Sequence, residues 1–110
     1  MKVNVIIHRT SELDDWEEKV KKALEGKVEP LELTFSYSRN CFDILRYIDD
    51  GAEKNVVVLA PKKGMGSVIS PVIQKLLERD VDIFFAWYED APSSLEDFIA
   101  YLKDLLGVKD

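Results

Sequence analysis

Apolar residues gather in four short runs, 3–7, 31–37, 56–60 and 81–88, and after each run they recur every three or four positions. Short runs rich in Val, Ile and aromatic residues read as strands, and the wider spacing reads as amphipathic helix. After the first strand, Ser11 and Asp14 have the spacing of a capping box. Leu13, Trp16, Val20, Ala23 and Leu24 then form an apolar stripe that Gly26 ends. Residues 31–37 alternate strictly, with Leu31, Leu33, Phe35 and Tyr37 on one face and Glu32, Thr34 and Ser36 on the other. One wet face marks a strand at a sheet edge.

A second helix is predicted over about 40–50, burying Phe42, Ile44, Leu45 and Ile48 and stopping at Gly51. The third strand is apolar on both faces and belongs in the middle of the sheet. A third helix is predicted over about 71–79, capped by Ser70, with Pro71 at its first position and Val72, Ile73, Leu76 and Leu77 buried. The last helix starts from Pro92-Ser93-Ser94-Leu95-Glu96, again with capping-box spacing, and Gly107 closes it.

Strict strand–helix alternation implies parallel strands joined by right-handed crossovers. A wet second strand at the edge, with the first and third strands central, gives the order 2-1-3-4. The predicted fold class is α/β: a three-layer α/β/α sandwich around a four-stranded parallel sheet, flavodoxin-like and Rossmann-like, built as (βα)×4. One domain covers residues 1–110. The fourth strand is then the other edge, yet it carries Ile83, Phe84, Phe85 and Trp87. A greasy edge invites pairing, so a homodimer is one expectation; cover by the last helix and the 89–92 loop is the other.

Composition narrows the class. Apolar residues are 46% and charged residues 33%, as in globular proteins, and no apolar run is long enough to cross a bilayer. The first residues carry no secretory signal pattern, and a single cysteine suits a reducing compartment, so a cytoplasmic location is expected. A net charge of −6 argues against nucleic acid or an anionic membrane as partner. Glu and Lys dominate the charges, with only three Asn and one Gln, a pattern shared by heat-stable proteins and idealised designs.

In order 2-1-3-4 the chain reverses direction between strands one and three, and ligands of open α/β sheets gather at such a switch point. The loop after the first strand brings His8, Arg9 and Thr10; the loop after the third brings Lys62, Lys63, Gly64, Gly66 and Ser67; Ser38 and Arg39 flank them. Four cations thus fall on one rim of an acidic protein. Open N–H groups around two glycines suit a phosphate or carboxylate. The leading expectation is a small domain that binds an anionic, phosphate- or nucleotide-like small molecule there. The residues identify no cofactor. The segment PKKGMGS has neither the Walker spacing nor G-x-G-x-x-G, and a solvated turn accounts for the same composition.

An enzymatic alternative uses Cys41, or Ser38 or Ser67, as nucleophile with His8 as general base in a hydrolase or transferase. Cys41 falls in the first turn of the second helix beside Arg39, which favours a thiolate. Cys41 and Arg46 are one residue short of a C-x5-R phosphate cradle, and a half-buried structural thiol is the plainer account. One His and one Cys provide no nitrogen–sulfur metal site. Trp87 and Tyr88 suit stacking on a ring or closure of the core, and Asp49-Asp50 and Glu89-Asp90 suit solvation more than Mg²⁺. A response-regulator receiver needs acidic residues where His8-Arg9 and Ala60-Pro61 stand, and the flavodoxin phosphate loop needs more than HRTSEL supplies. The third reading is a scaffold domain without ligand, natural or designed.

Overall fold

The computed structural model describes residues 1–8, 15–28, 30–59, 66–86 and 95–108. Strands β1 (Lys2–His8), β2 (Glu32–Ser38), β3 (Lys54–Leu59) and β4 (Asp82–Phe85) form one parallel sheet in the order β2-β1-β3-β4. Helices α1 (Trp16–Leu24), α2 (Gly66–Glu78) and α3 (Leu95–Leu105) and a 3-10 helix (Cys41–Tyr47) flank it. The architecture is the expected three-layer α/β sandwich of flavodoxin-like type, with β2 and β4 at the edges.

Alternation along the strands decides which helix covers which face. Val3, Val5 and Ile7 of β1 and Val56 and Val58 of β3 turn to one side, where Trp16, Val20 and Leu24 of α1 meet Phe98 and Leu102 of α3. Trp16 and Phe98 stack with their ring centroids 5.3 Å apart. Ile6, Val57 and Leu59 turn to the other side, onto Ile44 of the 3-10 helix and Ile69, Val72 and Leu76 of α2. On β2, Leu33, Phe35 and Tyr37 pack beside the first cluster as read, but the face expected to be wet is not: Thr34 and Ser36 are half-buried and Ser38 is fully buried.

Polar side chains pin the register. Asn4 is paired with Thr34 and with Asn55 across three adjacent strands. Its Nδ2 donates to Asn55 Oδ1 at 3.0 Å and to the Tyr47 carbonyl at 2.8 Å, while its Oδ1 accepts from Thr34 Oγ1 at 3.0 Å. Asn55 in turn accepts from the Asp49 N–H and donates to the Asp49 carbonyl, each at 2.9 Å. A buried amide whose hydrogen bonds are all made is tolerated in a core and specifies a single alignment of strands.

That network corrects the second helix. Asn40 does cap it, accepting from the Phe42 N–H at 2.9 Å. The segment is 3-10, however, opened by an Asp43 N–H to Asn40 carbonyl bond, and it stops at Tyr47 because Ile48 is extended. The side chain of Asn55 holds the Asp49 N–H, which an α-helix running to Asp50 would donate to the Leu45 carbonyl. Phe42, expected to be buried, is 62% exposed, whereas Ile44 is fully buried.

The third helix is also longer than read. α2 starts at Gly66, so Pro71 lies inside it and Ser70 is not its cap. Without an N–H, Pro71 leaves the Ser67 carbonyl without its helical donor. Ile69, Val72 and Leu76 make the buried row, and Leu77, one position round the helix, is 63% exposed. The described part of the first helix runs from Trp16, with Asp15 before it making no side-chain cap bond; the Ser11–Asp14 capping box lies outside the described residues. Gly26 and Gly107 close α1 and α3 with φ of +75° and +74°, a conformation in which glycine is unstrained.

Candidate functional site

In a parallel sheet every strand ends at the same rim, and here those ends are His8, Ser38, Leu59 and Phe85. β1 and β3 are neighbours, while the chain after β1 leads to α1 on one face and the chain after β3 leads to α2 on the other. The switch point therefore sits where the sequence predicts it.

Two candidates lie side by side there. His8 is paired with Ser38 in the β1–β2 register, and both belong to the alternating row that faces the 3-10 helix and α2. The row runs Asn4, Ile6, His8 on β1 and Thr34, Ser36, Ser38 on β2. The 3-10 helix starts three residues past Ser38, and α2 starts seven residues past the end of β3, so both begin at this rim. Main-chain N–H groups of a first helical turn are without helical acceptors and carry partial positive charge.

His8 is half-buried, and its Nδ1 is removed from solvent with no hydrogen-bond partner among the described residues. Burial lowers its pKa below the ordinary value, so the imidazole is neutral at pH 7. A buried nitrogen left unpaired costs about 1–3 kcal/mol, which any bound group that completes the bond recovers.

Ser38 is fully buried, and its hydroxyl donates to the Asn40 carbonyl at 2.6 Å. This bond shapes the turn into the 3-10 helix and directs the hydroxyl proton away from His8. Arg39 is exposed and follows directly on the end of β2. Cys41 is the first residue of the 3-10 helix, as the sequence spacing suggests. Gly66 and Ser67 form the start of α2, which places both at the rim rather than in a loop before it. Arg9, Thr10, Lys62, Lys63 and Gly64 lie outside the described residues, as do Trp87, Tyr88, Glu89 and Asp90.

The acidic pair Asp49-Asp50 lies at the opposite rim and diverges. Asp49 holds Lys2 at 2.8 Å and accepts from the Gly51 N–H, whereas Asp50 holds Arg79 at 3.2 Å. The bond from Lys2 lowers the pKa of Asp49. Among the described residues no group of three or more His, Cys, Asp or Glu side chains converges as a metal site would require, and no described helix is long and apolar enough to cross a membrane. Comparison with protein-family models, curated proteins and solved structures yields no significant match.

Asn4 and Asn55 were the residues that sequence reasoning passed over. An asparagine inside an otherwise apolar central strand is the signal that marks them.

Proposed function

We propose that the protein is a small binding domain that holds an anionic, phosphate- or nucleotide-like molecule at the rim where β1 and β3 diverge. The observation that carries this reading is His8 at the mouth of the crevice, with a buried Nδ1 that has no hydrogen-bond partner among the described residues, on the face where α2 begins. A neutral imidazole accepts or donates one hydrogen bond to a ligand hydroxyl or a bridging water, while the first turn of α2 favours negative charge. Arg39 and the sequence-adjacent Arg9, Lys62 and Lys63 supply cations on a chain of net charge −6. Such local inversion of sign concentrates an anion against the overall field.

A nucleophilic enzyme is the weaker reading. The Ser38 hydroxyl is committed to the Asn40 carbonyl, so of the named nucleophiles Ser67 and Cys41 remain for it.

The test is a thermal-shift screen with inorganic phosphate, nucleoside mono- and diphosphates and sugar phosphates. The reading expects a rise in melting temperature with a phosphate-bearing member, and loss of that rise in the variant Lys62→Ala/Lys63→Ala. A flat response across the panel contradicts it.

A further inference from the structure

We propose that β2 is the contact edge of a symmetric dimer, in which two copies of this chain join their sheets by antiparallel β2–β2 pairing centred on Leu33. Main-chain direction along β2 carries the argument. The Met1 ammonium donates to the Pro30 carbonyl, and the Glu32 N–H donates to the Met1 carbonyl at 2.8 Å. Pro30 and Glu32 therefore turn their backbone groups towards β1. Because successive residues of a strand turn theirs to opposite sides, Leu31, Leu33 and Phe35 turn their N–H and C=O groups outward. Among the described residues no strand lies beyond β2.

These outward residues match their own copy under a two-fold axis. With Leu33 opposite the second copy's Leu33, Leu31 falls opposite the second copy's Phe35, and each outward N–H meets a carbonyl. Their side chains share one face, so the pairs are Leu with Leu and Leu with Phe, the apolar cross-strand contacts that stabilise antiparallel sheets. Among its described residues β2 also lacks the features within a strand that blunt an edge. It pairs with β1 through seven consecutive residues without a bulge, contains neither Lys nor Pro, and bears its single charge on its first residue, Glu32.

Two further observations favour a second copy over another partner. Beside the edge runs an open groove of about 340 Å³ lined by Lys21, Leu24, Glu25, Val28, Leu31 and Leu33, so apolar surface adjoins the outward backbone. Segment 21–32 is electrically balanced, with Lys21, Lys22 and Lys27 against Glu25, Glu29 and Glu32, although the chain as a whole carries −6. The sequence of this segment therefore encodes no net like-charge field against a second copy, and Lys21 is itself paired with Glu17 at 3.0 Å. β4, the other edge, has only four residues.

The full chain is measured by light scattering from micromolar to millimolar concentration. Growth towards twice the 12.6 kDa chain mass is expected. Leu33→Pro removes one outward donor without touching the pairing to β1, and is expected to hold the protein monomeric with its circular dichroism unchanged. Should that variant fail to fold, Leu33→Cys serves instead: under mild oxidation it should give an interchain disulfide between the introduced thiols, whereas Ile83→Cys on β4 should not. A monomer at millimolar concentration overturns the proposal, even if it captures an apolar peptide in the groove. A dimer that survives Leu33→Pro, or one that cross-links through position 83 and not 33, overturns it as well.

Discussion

Asn4 and Asn55 face each other across β1 and β3, and the Nδ2 of the first lies 3.0 Å from the Oδ1 of the second. Asn4 is 3% exposed, so this bridge lies inside the protein, with Thr34 on one flank and the main chain of Tyr47 and Asp49 on the other. It ties the two central strands to the segment that follows the 3-10 helix. The alignment of the candidate site at the opposite rim depends on that register.

Replacing Asn4 by Leu strands the Tyr47 carbonyl and one side of Asn55. The expected loss is about 1–3 kcal/mol, the cost of leaving buried polar groups unpaired. A double-mutant cycle with Asn55→Leu, followed by urea unfolding, should show the two losses to be strongly non-additive, because both remove the same bond. Additive losses would mean that the two amides act independently.

Ile44→Ala should cost about 2–5 kcal/mol, because Ile44 is fully buried against Ile6 and Val57, whereas Phe42→Ala should stay within about 0.5 kcal/mol. The sequence reading buries both, so equal losses in denaturant titrations would contradict the exposed position of Phe42.

Pro71→Ala should stabilise the protein by about 1–2 kcal/mol. The missing helix bond costs about 3 kcal/mol in a helix interior, and the stiffer unfolded chain returns about 1 kcal/mol of it. At a first helical position the same change would be neutral or unfavourable. Thermal unfolding of the single variant decides between the two starts of α2.

His8 makes stability depend on pH. Its folded pKa lies below the ordinary 6.5 because burial disfavours the charged ring. The unfolded chain therefore takes up the proton first as pH falls. Stability from the neutral ring is complete above pH 6.5 and is lost progressively below it, down to the folded pKa. His8→Gln should flatten the wild-type slope between pH 7 and the lower end of that window when urea midpoints are compared. The carboxylates with lowered pKa, Asp15, Glu17 and Asp49, lose their contributions only below the ordinary carboxylate range, so the two effects separate.

The sheet was legible because strand burial follows a period of two. Val3, Val5 and Ile7 against Ile6, and Leu33, Phe35 and Tyr37 against Thr34 and Ser36, assign faces and place β2 at an edge without further information. Helix limits were less legible because the deciding contacts are distant in sequence. Ser70-Pro71 looks like a helix start, and only tertiary packing of Ile69 beside Val72 and Leu76 carries α2 one turn further back. The 3-10 segment is set by Asn4 and Asn55, which are far from it along the chain. The chain's three asparagines, Asn4, Asn40 and Asn55, each hold a backbone group, so their scarcity was itself a clue.

The rim was legible too, since topology alone brings the ends of β1 and β3 together. Its detailed chemistry was not. That the Ser38 hydroxyl turns to Asn40 and not to His8 follows from turn geometry, which residue spacing does not encode.

The most direct test is an amide-resolved NMR titration of the full chain with inorganic phosphate and a nucleoside monophosphate. A ligand held where β1 and β3 diverge should shift the amides of His8, Arg39 and Gly66 in a saturable way and leave Asn4, Asp49 and Gly51 at the other rim unmoved. Saturable shifts confined to the Asn4 rim, or none at any residue, would contradict it.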